Sequence, residues 1–156
     1  MTRPYACFPN SPLLSNAYRK PGQIEAASEN YDEAIRISPE FAAAFNNRGI
    51  AYASLEQHER ALEDYDEAIR IFPGYAIAYN NRGISYRNLG QDELAISDYS
   101  VAIQMDPNHV LAYSNRAISF AILGMELEAQ QDVDQAVALG IDRGELESLI
   151  EESLEQ

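Results

Sequence analysis

Apolar residues follow helical spacing in two consecutive stretches of the chain, with a short polar turn between them. Within each stretch they recur three or four positions apart, which places them along one side of a helix. These residues are Phe45, Gly49, Tyr52 and Leu55 in the first stretch and Ala61, Tyr65, Ala68 and Ile69 in the second. Pro73 then stops the second helix, because proline lacks the backbone N–H that a helix interior needs. The pattern predicts a helix–turn–helix unit in which neither helix can bury its apolar side alone.

The same unit repeats along the chain. The heptapeptide YDEAIRI occurs at Tyr31–Ile37 and again at Tyr65–Ile71, an offset of 34 residues. The segment FNNRGIAY at Phe45–Tyr52 returns at that offset as YNNRGISY, and once more as YSNRAISF. Prolines recur at the same interval, at Pro39, Pro73 and Pro107. A fixed period of this length is typical of repeat proteins built from stacked helical hairpins.

One position near the middle of each first helix is always small, at Gly49, Gly83 and Ala117. Glycine in a helix interior costs about 1 kcal/mol relative to alanine. Its recurrence at a fixed register therefore predicts a close crossing of two helix backbones, at which a larger side chain would not fit.

These positions resemble the tetratricopeptide repeat, a family whose units have a small residue in the first helix, an aromatic residue three positions later, alanines in the second helix and a closing proline. The matches are Gly49, Tyr52, Ala61, Tyr65, Ala68 and Pro73, then Gly83, Tyr86, Ala95, Tyr99, Ala102 and Pro107, then Ala117, Phe120, Ala129 and Ala136. The last unit departs from the pattern at Val133 and Ile141, which replace the aromatic residue and the proline. The resemblance covers roughly residues 8–156 and implies an all-α, right-handed α-solenoid of four helix–turn–helix repeats with a C-terminal capping helix.

The register of the family also extends upstream, into a degenerate first repeat. Its matching residues are Ser15, Tyr18, Ala27, Tyr31, Ala34 and Pro39. At the other end, Asp142 and Glu145 have the spacing of a capping box, and an acidic helix with one apolar stripe follows them. We therefore expect a mobile N-terminal tail at residues 1–10, four repeats at residues 11–141 and the capping helix at residues 142–156.

The register defines the expected helices and core. Nine helices are predicted, at residues 12–20, 23–37, 40–55, 58–71, 74–89, 92–105, 108–123, 126–139 and 142–155. The predicted core consists of Tyr18, Tyr31, Phe45, Tyr52, Ala61, Tyr65, Ala68, Tyr79, Tyr86, Ala95, Tyr99, Ala102, Tyr113, Phe120, Ala129 and Ala136.

Charge is distributed unevenly along this acidic chain, whose formal net charge is −14. The predicted first helices, taken as residues 11–20, 42–55, 76–89 and 110–123, contain no aspartate or glutamate. They carry six basic residues, namely Arg19, Lys20, Arg48, Arg82, Arg87 and Arg116, so the rest of the chain has a net charge of −20. In the family that the chain resembles, the first helices line the inner, concave surface. The overall acidity argues against partners such as nucleic acids and anionic membranes.

Polar and apolar side chains recur together in the predicted first helices and define a candidate groove. The groove residues are Asn46, Asn47, Ile50, Asn80, Asn81, Ile84, Arg87, Ser114, Asn115 and Ile118, together with Arg19 and Lys20. An amide both donates and accepts, so it can hold the main chain of an extended peptide whatever its sequence. We expect Asn47, Asn81 and Asn115 to hold a peptide in this way, while the basic residues attract its acidic groups. The alternative is that some asparagines bond to neighbouring helices and only stiffen the stack.

Arginine and aspartate recur together, sixteen residues apart. The pairs are Arg48 with Asp64, Arg82 with Asp98, and Arg116 with Asp132. In the first repeat both charges are absent, because Leu14 and Asn30 occupy the two positions. An unpaired charge that faces a core is costly, so a charge present at both positions or at neither favours ion pairing. We interpret these residues as structural ion pairs rather than as a ligand site.

The sequence contains no arrangement typical of catalysis. His58, His109 and the single cysteine, Cys7, have no second metal ligand or catalytic partner at a recognised spacing. We therefore expect no cofactor, no metal site and no enzymatic activity. Without a long apolar run or a signal peptide in the sequence, a cytoplasmic location is favoured.

The predicted function is a non-enzymatic scaffold that binds a neutral to acidic segment of a partner protein in the concave groove. The chaperone-type carboxylate clamp of the family is not expected here. Asn16 and Asn47 match two of its asparagines, but Pro12, Ile77 and Asn81 stand where its basic residues would be. Two alternatives stay open: a self-assembling oligomerisation module, and a regulatory subunit of a larger complex.

Overall fold

The computed structural model describes residues 21–155, with side chains described from Ser28 onward. This part of the chain contains eight α-helices and no β-strand. The helices are α1 (Pro21–Ile37), α2 (Ala42–Ser54), α3 (His58–Ile71), α4 (Ala76–Asn88), α5 (Asp92–Met105), α6 (Val110–Ile122), α7 (Glu126–Ala138) and α8 (Arg143–Leu154). Each agrees with a predicted helix to within two residues at either end. The remaining prediction, a helix at residues 12–20, lies outside the described residues, as do Tyr18, Arg19 and Lys20.

The chain divides into two compact units, a first unit at Met1–Pro73 and a second unit at Gly74–Gln156. In the first unit, α2 and α3 form a hairpin, and α1 packs against α2. In the second unit, α4 pairs with α5 and α6 with α7, while α5 packs on α6 and α8 contacts both α6 and α7. This succession of helical hairpins confirms the α-solenoid fold class. None of the helices between residues 21 and 155 is long and apolar enough to span a bilayer.

Prolines end the second helix of two hairpins by acting on the residue before them. Because the proline ring crowds the preceding residue, that residue is forced out of the helical region. Phe72 has φ −131° and ψ 88°, and Asp106 has φ −135° and ψ 93°, so both are extended. The helices α3 and α5 therefore stop at Ile71 and Met105.

The turn inside each hairpin is a Schellman motif, in which one residue adopts the left-handed conformation. In the α4–α5 turn the N–H of Gly90 donates to the carbonyl oxygen of Arg87 at 2.8 Å, and that of Gln91 to Tyr86 at 2.9 Å. Gly90 and Gly124 have φ of 70° and 71°, whereas the α2–α3 turn places Glu56 at this position with φ of 59°. Glycine adopts this left-handed conformation without steric cost, whereas Glu56 adopts it although its Cβ atom is crowded there.

The small residue of each first helix accommodates a side chain of its partner helix. A Cβ atom on Gly83 would lie 2.6 Å from Cε1 of Tyr99, and a Cβ on Gly49 would lie 2.7 Å from Cε1 of Tyr65. The expectation that two backbones cross there was wrong, because the neighbouring atoms belong to an aromatic ring. In the last hairpin the smaller Val133 replaces the tyrosine, and Ala117 stands where the glycine would be.

The core of the described residues consists mainly of alanines. Eleven of the buried hydrophobic residues are alanines, and the largest buried side chains are Tyr65 and Tyr99. Six aromatic residues of the predicted core are only half-buried, namely Tyr31, Tyr52, Tyr79, Tyr86, Tyr113 and Phe120. All except Tyr31 lie beside the guanidinium group of an arginine, which keeps that edge of the repeat partly open to water.

The C-terminal helix α8 closes the second unit. The Asp142 carboxylate accepts a hydrogen bond from the backbone N–H of Glu145 at 2.9 Å, which caps the start of the helix. Leu146 of α8 is fully buried in a cluster with Ala117, Val133 and Ala136. The helix thus covers the apolar side of α6 and α7. The division of the chain into tail, four repeats and cap stays a prediction.

We expect Gly83→Leu to lower the free energy of unfolding by about 3 kcal/mol or more, because the new side chain must displace the buried Tyr99 ring. Gly83→Ala should lower the free energy of unfolding by less. In a Tyr99→Val background it should lower it very little, because the hairpin then has the alanine–valine pairing that Ala117 and Val133 form in the last hairpin. Urea denaturation of the four members of this double-mutant cycle measures the coupling. Additive effects would show that Gly83 and Tyr99 do not constrain each other.

We expect Glu56→Gly to stabilise the protein by about 1 kcal/mol, because glycine relieves the left-handed strain. Glu56→Gln removes the charge but keeps the Cβ atom, so it should leave the stability unchanged. The midpoint of urea denaturation measures both. A gain shared by the two variants would mean that the charge at Glu56, not its backbone, is unfavourable.

Candidate functional site

The three Arg–Asp pairs join the two helices of their hairpins. Arg82 donates from Nε and Nη2 to Asp98, with both bonds at 2.7 Å. The same two-bond geometry joins Arg48 to Asp64 at 2.9 and 2.6 Å, and Arg116 to Asp132 at 2.7 and 2.8 Å. Planar guanidinium and carboxylate groups match each other in this arrangement, which fixes both side chains. Hydrogen bonding to Asp64 raises the pKa of Arg48 above its ordinary value, whereas burial raises the pKa of the Asp64 carboxyl, an effect that its hydrogen bond to Arg48 opposes.

Aromatic rings flank each of these guanidinium groups. Arg82 lies 5.4 Å from the ring centre of Tyr79 and 5.9 Å from that of Tyr86. Arg48 lies likewise between Phe45 and Tyr52, and Arg116 between Tyr113 and Phe120, at 5.6 to 5.9 Å. Rings at these distances attract a cation through their electron-rich faces. The aromatic positions of the repeat therefore support the ion pair as well as the packing.

Arg48 and Arg116 also bind the preceding helix, which the sequence analysis missed. Arg48 reaches Asp32 of α1 at 2.6 Å, and Arg116 donates to the hydroxyl of Ser100 in α5 at 2.9 Å. Both partners stand sixteen residues before their arginine, so the register contained the signal. Each of these arginines thus ties three helices together.

Ion pairing changes the charge expected on the first helices. Arg48, Arg82 and Arg116 each face an aspartate, so they add little net charge to the surface. Arg19 and Lys20 lie outside the described residues. Since α4 and α6 contain no acidic residue, the half-buried Arg87 carries the net positive charge of that face.

Burial separates the predicted groove residues into two groups. Asn46, Asn80, Asn81, Ser114 and Ile118 are buried. Asn47 is exposed, and Ile50, Ile84, Arg87 and Asn115 are half-buried. The second group is the part that a partner could touch, and the first group supports it.

A short hydrogen-bonded network joins three of the predicted groove residues in the second unit. Nη1 of Arg87 lies 3.3 Å from Oδ1 of Asn115, to which it donates. The amide of Asn115 in turn donates to Oδ1 of Asn80 at 3.1 Å. The network links α4 to α6 and orients the Asn115 amide. Asn80 and Asn115 therefore do bond between neighbouring helices, as the alternative interpretation of the asparagines required.

Comparison with known proteins identifies the family. A model described as "TPR repeat" matches residues 16–56, and a model described as "Tetratricopeptide repeat" matches residues 42–75 and 76–109. The chain belongs to the tetratricopeptide-repeat family, whose domains generally mediate protein–protein interactions. Among curated proteins, no match to the chain was found.

Several solved structures share the fold. A crystal structure of MamA is 24% identical, covers 76% of this chain and 69% of its own, and has a TM-score of 0.71. The second TPR of Spaghetti (RPAP3), bound to the HSP90 peptide SRMEEVD, is 26% identical over 73% of this chain and 98% of its own, with a TM-score of 0.62. The second TPR domain of human RPAP3, in complex with the HSP70 peptide SGPTIEEVD, is 25% identical over 72% of this chain and 93% of its own, with a TM-score of 0.65.

We expect Asp98→Asn to destabilise the protein by about 3 kcal/mol, because it leaves the Arg82 guanidinium without its carboxylate in a largely buried position. The side chains of Arg82 and Asp98 are only 19% and 7% exposed. Glu67→Gln is the control, since it breaks the exposed pair of Arg70 with Glu67, which contributes at most a few tenths of a kcal/mol. Urea denaturation compares them. Equal stability of Asp98→Asn and the native protein would free Arg82 for a ligand role.

Proposed function

We propose that this protein is a non-catalytic binding module that holds a neutral to acidic segment of a partner protein against α4 and α6. The observation that carries the proposal is the orientation of the Asn115 amide. Its side chain is half-buried and is held by Arg87 and Asn80 rather than left to rotate. A binding group fixed before the partner arrives loses less entropy when it binds.

The hydrogen-bonding capacity of Asn115 supports this role. An asparagine amide offers two donors and two acceptor positions. The bonds to Asn80 and Arg87 use one donor and one acceptor among the described residues, which leaves one of each. That is the complement of a peptide unit, which has one N–H and one C=O. Asn115 can therefore pair with the main chain of a partner whatever its sequence.

The charge of the face supports a partner that is not basic. No carboxylate comes from α4 or α6, and Arg87 supplies a positive charge beside Asn115. Elsewhere the chain is strongly acidic, so an acidic segment is repelled from most of the protein and attracted here. The half-buried Ile84 gives the same face an apolar contact. In the first unit, Asn47 stands at the repeat position of Asn115 and Ile50 at that of Ile84, and both side chains are at least partly exposed.

The relatives favour the same class of partner but a different set of contacts. The peptides bound by the RPAP3 domains, SRMEEVD and SGPTIEEVD, both contain three acidic residues near the C-terminus. In this chain Ile77 and Asn81 stand where a carboxylate clamp would have basic residues. We therefore propose binding of modest affinity through main-chain contacts and Arg87, with Asn80, Asn81, Ser114 and Ile118 as the buried support.

An NMR titration of the ¹⁵N-labelled protein with SRMEEVD tests the proposal. We expect shifts in the amide signals of Ile84, Arg87 and Asn115 that decrease as salt is added, because salt screens the attraction between the peptide carboxylates and the Arg87 guanidinium at the protein surface. Arg87→Glu should weaken binding severalfold, and Asn115→Ala should weaken it as well. A peptide with lysine in place of the three acidic residues should not perturb these signals.

The control variant is Arg143→Glu, which makes the same charge change on the exposed surface of α8. It should leave the binding of SRMEEVD to α4 and α6 nearly unchanged. An equal loss in Arg87→Glu and Arg143→Glu would reduce the effect to overall charge. Signals that shift only on α5 and α7 would place the partner elsewhere and overturn the proposal.

A further inference from the structure

The turn between α6 and α7 exposes a run of apolar side chains. Leu127 is 79% exposed, and Ile122, Leu123 and Met125 are 37 to 39% exposed. The four residues lie within six consecutive positions, at the end of α6 and the start of α7, and we call them the apolar turn. Exposed apolar side chains that cluster in this way mark interaction sites more often than single exposed residues do.

The other hairpins show that the fold does not require this patch. Leu123 has leucine counterparts one and two repeats earlier, at Leu89 and Leu55. The other three positions are polar in both earlier hairpins: Ile122 replaces Asn88 and Ser54, Met125 replaces Gln91 and Gln57, and Leu127 replaces Glu93 and Glu59. All three turns have the Schellman hydrogen bonds, so the same turn geometry forms when these positions are polar. The apolar residues are therefore a property of the last hairpin and not of the repeat.

Charge around the apolar turn indicates what could cover it. From Ala117 to Glu155 the sequence contains ten acidic residues, of which Asp132 is buried and paired with Arg116, and one basic residue, Arg143. That arginine is paired with Asp134 at 2.6 Å and with Glu147 at 3.4 Å. Glu126 and Glu128 stand on either side of the most exposed leucine, Leu127. An apolar patch inside an acidic region is complementary to a segment that is apolar on one side and basic on the other.

We propose that the apolar turn is a second binding site, which docks a basic amphipathic helix of a partner protein. The apolar side of such a helix would cover Leu127, Met125 and Ile122, and its basic side chains would reach the carboxylates around them. A second copy of this chain is a poor occupant, because it brings the same acidic residues to the contact. The site extends beyond the α4 and α6 face that the proposed function uses, since Met125 and Leu127 lie after the end of α6, and it selects partners of the opposite charge.

A designed pair of variants exchanges the apolar turn between hairpins. Met125→Gln with Leu127→Glu gives the last hairpin the residues of the preceding one, and Gln91→Met with Glu93→Leu does the reverse. All four positions are exposed, so both variants should fold, which circular dichroism checks. The probe is a synthetic helix of about 18 residues, five turns, with leucine on one side and lysine on the other. A scrambled peptide of the same composition controls for charge.

Fluorescence anisotropy should show the amphipathic peptide binding the native protein more than about tenfold more tightly than the scrambled one, since only the former can bury its leucines together. The Met125→Gln, Leu127→Glu variant should bind the amphipathic and the scrambled peptide equally well. Its added negative charge would by itself attract both basic peptides more strongly, so a lost preference would reflect the lost apolar contact. The reverse exchange should raise the binding stoichiometry, because it creates a second apolar turn. Arg87→Glu should have no effect, which separates this site from the proposed peptide site.

Three results would overturn the proposal. Equal binding of both peptides would reduce the effect to attraction between opposite charges. Unchanged binding by the Met125→Gln, Leu127→Glu variant would place the peptide elsewhere. Light scattering that shows a native dimer, converted to a monomer by the same variant, would make the occupant a second copy of the chain.

Discussion

The buried Arg–Asp pair is the interaction on which each α2–α3, α4–α5 and α6–α7 hairpin depends. It connects the first helix to the second at one fixed height, and its two parallel hydrogen bonds fix the rotation of both helices. Since both charges are largely withdrawn from water, the loss of either one removes the main partner of the other in a place where a charge is costly. The aromatic rings on both sides of the arginine are arranged around it, and Arg48 and Arg116 have a further partner on the preceding helix.

Much of the fold followed from the sequence because its signals repeat. Prolines, glycines and the aromatic positions recur at one interval, so the helix positions were predictable to within two residues. The identity of the group that packs against Gly83 was not predictable. A small residue shows that another part of the protein approaches closely, but it does not show whether that part is a backbone or a side chain. The pairing of glycine with tyrosine, and of Ala117 with Val133, contained that information. A comparison of the two helices at a spacing of sixteen residues would have revealed it.

The burial of the candidate site residues could not be predicted from their register. Asn47, Asn81 and Asn115 share one register, yet the first is exposed, the second is buried and the third is half-buried. Their exposure depends on the side chains around each of them, which differ between repeats. Arg87, which has no basic counterpart in the neighbouring repeats, orients the third asparagine. The ion pairs were easier to predict, because a charge that faces a core demands a partner and an aspartate recurs sixteen residues after each of the three arginines.

The alanine-rich core has a consequence for how such a protein diverges. Replacing a buried alanine by any residue except glycine adds volume to a closely packed interface, so these positions accept little change. The exposed positions of the same helices and turns have no such restriction, because side chains there meet water. Natural variation should therefore accumulate on the outside while the interior stays nearly constant. A duplicated hairpin can then acquire a new partner through a few surface substitutions, without any compensating change in the interior that carries it.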